Sequence, residues 1–267
     1  SFQVRSTDGG ENTFLDVGDS PSNVPIISVP YQSDRNVVVD GFTFKDLLFS
    51  ANDSDEALVV APGGELRNLV FDNCDDDGSE PSYYGALMGP GDYYDCSALG
   101  CDTKFLVFAT DGNGGPDFFM NLTSCTFDSC TATSSLMMRV PMTGVSIRDC
   151  SSGTIMSKPQ RIRDCEIIGC TSTNVLYFAN NYDANVQDCK FESNSGRCIY
   201  MGSGSNSGGT IVGCNFDGNY GSESGTAIYS EANLQLFVTN CSFTNNSATV
   251  IGSAIYDSSD AGTVICT

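Results

Sequence analysis

One line of text recurs along this chain, and it restricts the fold more than any other feature. An apolar residue, any residue, a turn-former, a small or apolar residue, any residue and then usually Phe follow one another at regular intervals. The pattern fits Val39-x-Gly41-Phe42-x-Phe44, Leu66-x-Asn68-Leu69-x-Phe71, Tyr93-x-Asp95-Cys96-x-Ala98, Leu122-x-Ser124-Cys125-x-Phe127 and Ile147-x-Asp149-Cys150-x-Ser152. It continues with Ile162-x-Asp164-Cys165-x-Ile167, Val186-x-Asp188-Cys189-x-Phe191, Ile211-x-Gly213-Cys214-x-Phe216 and Val238-x-Asn240-Cys241-x-Phe243. Steps between first residues are 27, 27, 29, 25, 15, 24, 25 and 27, and a fragment of another unit, Thr263 to Cys266, follows 25 later.

A period of this size marks stacked supersecondary units, none of which buries its apolar face alone. About 26 residues supply three strands of ~4 to 6 residues with their turns, the circumference of one β-solenoid coil. The leucine consensus of a leucine-rich repeat is missing, and a propeller blade needs ~40 residues. The expected fold is therefore all-β, a parallel β-helix of about 9–10 coils with three short strands each. A cap or irregular first coil is expected over 1–35, then a single β-helix domain over 36–267 whose last coil is incomplete.

The third position of the pattern holds Asn, Asp, Gly or Ser in every unit. These residues tolerate a left-handed backbone, so the chain bends there and both flanking side chains turn inward. Five positions after the Cys comes a second column of Leu47, Cys74, Cys101, Cys130, Ile155, Cys170, Asn194, Asn219 and Asn246. Stacked Asn side chains pass amide hydrogen bonds from coil to coil. A third strand ends in Tyr177, Tyr200, Tyr229 and Tyr256, which are expected to form a column too. The step from Ile147 to Ile162 is too short for a full coil. Either the loop of that coil is almost deleted, with Gly153-Thr154-Ile155-Met156 standing for Gly225-Thr226-Ala227-Ile228, or one of the two Arg-Asp-Cys sites lies off the main column.

Phe-x-x-Asn at Phe191 to Asn194, Phe216 to Asn219 and Phe243 to Asn246, with Gly225-Thr226-Ala227-Ile228 and Gly252-Ser253-Ala254-Ile255, resembles the repeats of the polymorphic outer-membrane protein family. More generally it resembles right-handed parallel β-helices of the pectin-lyase-like superfamily. The family form is Gly-Gly-Ala-aliphatic, and here Thr or Ser replaces the second Gly. The resemblance implies a right-handed coil and, for the narrower family, a surface adhesin carried by an outer-membrane barrel. No barrel strands are visible in this chain.

A net charge of −21, with only 12 Lys plus Arg, argues against nucleic acid and anionic membranes as partners. No stretch approaches the ~18 apolar residues of a membrane span. Thirteen cysteines suit an oxidising compartment, and the absence of His speaks against zinc. Asn52, Asn121, Asn240 and Asn245 lie in N-glycosylation sequons. Together these point to an extracellular or cell-surface protein.

Glycoside hydrolysis needs two carboxylates about 5 to 9.5 Å apart. Asp149, Asp164 and Asp188 recur at the turn position, where Asn68, Gly213 and Asn240 also stand, which suits a turn better than an acid–base pair. Arg139, Arg148, Lys158, Arg161 and Arg163 cluster in sequence and would either neutralise acids or hold a small anion. Asp72, Asp75, Asp76 and Asp77 could ligate calcium, though a solvated acidic turn accounts for them as well, and no other cofactor is expected. The Gly-rich 202–208 stretch reads as a surface turn. The function expected is a non-catalytic structural or adhesive solenoid, stacked end to end through open coil ends. The alternative is a module that binds or cleaves polysaccharide.

Coil spacing near 4.8 Å brings equivalent cysteines within disulfide range. The first column is read as Cys96, Cys125, Cys150, Cys165, Cys189, Cys214, Cys241 and Cys266, and the second as Cys74, Cys101, Cys130 and Cys170, with Cys198 alone as a thiol. Bridges expected along the columns are 96–125, 150–165, 189–214, 241–266, 74–101 and 130–170. The rival schemes close 96–101, 125–130 and 165–170, or leave all thirteen as buried thiols.

Overall fold

The structure, a computed structural model, describes residues 2–5, 27–28, 37–49, 57–60, 64–76, 86–108, 120–179, 183–203, 208–259 and 263–267. Every regular element among them is a β-strand. The chain divides into two compact units, Ser1–Val140 and Pro141–Thr267, and each is built from the same coil.

In the first unit the leading face stacks Phe2–Arg5, Val37–Asp40, Glu65–Arg67, Asp92–Tyr94 and Asn121–Thr123 in parallel. Val39, Leu66, Tyr93 and Leu122 lie directly over one another. A short face of three-residue strands follows, Thr43–Lys45, Val70–Asp72, Ser97–Leu99 and Thr126–Asp128, with Phe44, Phe71, Ala98 and Phe127 in register. The third face includes Ile27–Ser28, Ala57–Val60, Ala86–Met88, Phe105–Phe108 and Thr131–Met138. Phe2–Arg5 and Ile27–Ser28 pair as rungs of a preceding coil.

The expected bend is present, and it occurs twice per coil. Gly41, Asn68, Asp95 and Ser124 have φ between 52° and 75° at the first corner. Asp46, Asn73, Gly100 and Ser129, five residues on, have φ between 50° and 61° at the second. Each corner resets side-chain parity, so residues at offsets 0, 3, 5 and 8 all point inward. Val39, Phe42, Phe44 and Leu47 are accordingly buried.

The second unit repeats this with corners at Gly144, Asp164, Asp188, Gly213 and Asn240, then Asp149, Gly169, Ser193, Gly218 and Asn245, all at positive φ. Its register corrects the sequence reading. Met142 pairs with Ile162 and Ile147 with Ile167, so the coil begins at Met142-x-Gly144-Val145-x-Ile147 and is 20 residues long. The Arg-Asp-Cys at 148–150 is at the second corner and the one at 163–165 at the first. Cys266 pairs with Val238 on the leading face, outside the cysteine column. The 15-residue step was a five-residue register error.

Packing compensates from coil to coil. Ala98 interrupts the Phe column, whose rings stack at 4.8 Å between Phe44 and Phe71, and in the same coil Tyr93 supplies a large buried ring. The Tyr93 hydroxyl donates toward the carbonyls of Val59 at 3.2 Å and Gly89 at 3.1 Å. Tyr93→Phe keeps the ring and leaves a buried carbonyl short of a donor. It is expected to lower unfolding stability by about 1 to 2 kcal/mol, which urea titration of the two proteins would measure.

Candidate functional site

The polar groups most distinctive of this surface lie on the third face of the second unit. Thr171–Phe178, Ser195–Met201, Ile228–Ser230 and Ile255–Asp257 place Leu176, Ile199, Ile228 and Ile255 in register. Strand alternation then sends the next residue outward, and Tyr177, Tyr200, Tyr229 and Tyr256 form the expected column on the outside. Ring centroids are 5.1, 5.3 and 5.5 Å apart in sequence, with interplanar angles of 18°, 71° and 31°. The edge-on step between Tyr200 and Tyr229 has a cause: the Arg197 guanidinium sits there, 4.2 Å from the Tyr229 centroid and 5.2 Å from that of Tyr200.

Arg197 sits where the two strands fall out of step: Thr171 to Asn174 runs three residues against two from Ser195 to Arg197, and Gly196, at φ 111°, lies on the shorter side, where a Cβ would meet the Ser172 carbonyl. The Arg197 Nε donates to the Ser224 carbonyl at 3.1 Å and its terminal nitrogen pairs with Glu223 at 3.3 Å. The side chain is 15% exposed, against 60% for Glu223. Glu231 accepts one hydrogen bond on each oxygen, from Tyr200 at 3.0 Å and Tyr229 at 3.1 Å. The result is a part-buried stripe of phenols, two carboxylates and one cation. Its flat ring faces are largely turned to each other, so edges and hydroxyls meet solvent. That chemistry suits polar contacts along an extended ligand.

Burial first, then the Glu231 carboxylate that its hydroxyl donates to, pushes the Tyr200 phenol well above its ordinary value. A phenol raised in the fold stabilises it below the ordinary tyrosine pKa of ~10 and loses that contribution as pH rises through the folded value. Glu231→Gln should move the Tyr200 transition down yet leave it above an ordinary tyrosine, because burial is the larger cause. Alkaline absorbance titration against a Tyr200→Phe control would check this.

The acidic candidates separate. Asp149 stands at a second corner while Asp164 and Asp188 stand at first corners, so the three share no column. Asp72 pairs with Lys45 at 3.1 Å, and Asp75 accepts the Asp102 amide at 2.9 Å. Asp76 lies in a short strand, while Asp77 and most of the Gly-rich 202–208 stretch lie outside the described residues. No three metal-ligating side chains come together among the described residues. The basic candidates also sit on separate elements. Arg139 and Lys158 occupy positive-φ positions, Arg161 and Arg163 are exposed, and Arg148 pairs with Glu166.

Of the sequons, Asn52 lies outside the described residues. Asn121, Asn240 and Asn245 are exposed. The Asn121 amide donates to Asp92 at 2.7 Å and that of Asn245 to Asp217 at 2.9 Å. Arg197 and Glu231 escaped the sequence reading, although Gly196-Arg197 before Cys-Ile-Tyr and Ser230-Glu231 after Ala-Ile-Tyr mark their places.

The inward columns carry a second kind of chemistry. Cys74, Cys101 and Cys130 each point a thiol at the carbonyl of the preceding coil, those of Phe44, Phe71 and Ala98, at 3.3 to 3.6 Å. In the second unit Cys170, Asn194, Asn219 and Asn246 do the same toward Ile147, Ile167, Phe191 and Phe216. Cysteine and asparagine thus serve one role in one column. All thirteen cysteines are thiols in this structure. Three of the expected pairs, 96–125, 189–214 and 74–101, are stacked neighbours. Three are not: Cys150 and Cys165 occupy different columns, Cys266 lies under Val238, and Cys170 has Asn194 and Cys150 as its column neighbours.

Strands stacked in three parallel faces with side-chain ladders between define a parallel β-solenoid. A family model, the right handed beta helix region, matches residues 94–265, and the chain belongs to that family. Among curated proteins none matches the chain. Among solved structures, two trypsin-treated forms of QnrB1, a plasmid-mediated fluoroquinolone resistance protein, share 16% and 15% identity with it. The matches cover 84% of this chain and 91% of theirs, with TM-scores of 0.33 and 0.30, too low to support an argument.

Proposed function

We propose that this chain is a non-catalytic structural or adhesive β-solenoid working outside the cell or at its surface. The observation that carries the reading is the direction of its side-chain chemistry. Amides, thiols, phenyl rings and phenols of successive coils engage one another along the stack, which stiffens a scaffold. The Phe-x-x-Asn ladder is also what the polymorphic outer-membrane repeats would share with it. One version of this reading has copies associate as a filament whose ladders run from chain to chain. Size-exclusion chromatography with negative-stain imaging tests that version, and a monodisperse monomer with no longer species would sink it.

A second reading rests on the Tyr, Arg197 and Glu231 stripe, which offers hydroxyl, carboxylate and guanidinium groups to a polysaccharide. A glycan array and a reducing-sugar assay separate the two. Binding without turnover makes the solenoid a glycan adhesin, turnover overturns the non-catalytic reading, and neither leaves the scaffold alone.

A further inference from the structure

We propose that the outer tyrosine column is an oxidative cross-linking site, at which Tyr177 and Tyr200 join through a carbon–carbon bond between their rings and so staple neighbouring coils from outside. The pair follows from register. Leu176 lies over Ile199, Tyr177 over Tyr200 and Phe178 over Met201, so the two rings leave equivalent places on adjacent strands, about one 4.8 Å rise apart, in the same direction. Their centroids are 5.1 Å apart and their planes differ by only 18°. Equivalent ring carbons therefore face one another, and rotation about the side-chain bonds closes the remaining distance while the paired backbones hold. Both side chains are partly exposed, within reach of a small oxidant. On its other side Tyr177 is in register with Ser157, so its ring neighbour in the column is Tyr200.

The column's other steps suit the coupling less well. Tyr200 and Tyr229 meet edge-on at 71°, with the Arg197 guanidinium between them. Tyr229 and Tyr256 are tilted by 31° at 5.5 Å. A cation close to a ring opposes removal of an electron from it, and Arg197 is 4.2 Å from the Tyr229 centroid against 5.2 Å from that of Tyr200. Glu231 accepts the hydroxyl protons of Tyr200 at 3.0 Å and Tyr229 at 3.1 Å, so a base stands within proton-transfer reach of both and the cation decides between them. Tyr220, 53% exposed, is in register with Ser195 and Ser247, so its coupling runs between molecules and appears in dimers.

The chemistry balances with one named co-reactant, hydrogen peroxide acting through a haem peroxidase, which removes electrons one at a time. Each phenol gives up one electron and one proton. The Tyr200 proton goes to Glu231 and that of Tyr177 to solvent. The two phenoxyl radicals form one bond between ring carbons beside their oxygens, and the hydrogen on each of those carbons moves to an oxygen, which restores both rings as phenols. Peroxide takes up the two electrons and two protons and leaves as two waters.

The test depends on neither reading of the function. Dilute full-length protein is treated with a haem peroxidase and hydrogen peroxide, the monomer is isolated on a denaturing gel, and its dityrosine-containing peptides are mapped. In the folded monomer the 177–200 cross-link should lead among the pairs of the column, ahead of 229–256, and it should lose that lead when the oxidation is run in urea. Tyr177→Phe and Tyr200→Phe should each abolish it and leave 229–256. Glu231→Gln keeps a hydrogen-bonding partner without the base and should slow its appearance by about tenfold. Dityrosine confined to dimers, a different leading pair in the column, or the same ratio of products in urea would overturn the proposal. An unchanged rate in Glu231→Gln would overturn the part given to the carboxylate.

Discussion

Replacing Asn219 with Leu should remove about 3 to 5 kcal/mol of unfolding stability, since each buried group left unpaired costs about 1 to 3 kcal/mol. Its side-chain oxygen accepts from both the amide and the side chain of Asn194, each at 3.0 Å. Its nitrogen donates to the Phe191 carbonyl at 3.0 Å and to Asn246 at 2.9 Å. Leucine fills the volume and removes the acceptor of the buried Asn194 amide and side chain, together with one donor to the Phe191 carbonyl. Asn219→Cys should cost clearly less than Asn219→Leu. Cys101 already shows a sulfur accepting an amide from the coil below while its thiol faces a carbonyl. Denaturant curves for the three proteins should therefore rank Asn above Cys above Leu, and an equal loss in both variants would refute the shared role.

Gly209→Ala should be of similar size for a different reason. Gly209 lies between Ala184 and Leu236 in the leading face of the second unit, at φ 123°. A Cβ there would stand 2.2 Å from the Ala184 carbonyl oxygen and 2.6 Å from its nitrogen, both backbone atoms that cannot swing aside. Overpacking and backbone strain each cost about 1 to 3 kcal/mol, so roughly 2 to 6 kcal/mol is expected from the pair. Gly100→Ala isolates the second contribution: its φ is 61°, and nothing lies within 4 Å of an added Cβ. That substitution should cost only about 1 to 2 kcal/mol, and Gly100→Asn less still, since Asn73 already occupies the same corner one coil below.

Much of this architecture could be read directly. Turn-formers at the third position announced the first corner, the Phe-x-x-Asn spacing announced the amide ladder, and the Ala-Ile-Tyr elements announced the phenol column. Register near Ile147 could not, for a physical reason. Apolar, any, turn-former, inward is the local text of both corners, as Met142-x-Gly144-Val145 and Ile147-x-Asp149-Cys150 show. A reader of one corner alone cannot tell it from the other, and the two lie five residues apart. Cys266 was misplaced similarly, because no corner follows it within the described residues to fix its place. Arg197 meets Glu223 across 26 residues and Tyr200 meets Glu231 across 31, through connections whose length varies between coils, so no fixed spacing reveals them.

In the second unit that variation in length is confined to the part of the coil after the second corner. In the second unit, the segment from the leading strand through the second corner has the same residue count in every coil, as offsets of five between corners require. The 20-residue coil from Met142 to Ile162 and the 27-residue coil from Ile211 to Val238 differ only after that point. New sequence enters at two places, before the third-face strand, where Tyr220 to Ile228 spans eight residues against four from Ser195 to Ile199, and after it, where Met201 to Gly209 spans eight against six from Ser230 to Leu236. Evolution or an engineer who wishes to display peptides at intervals of one coil rise has two rows of ports to use, flanking the tyrosine column. Their order along each row is the order in which they are written in the gene.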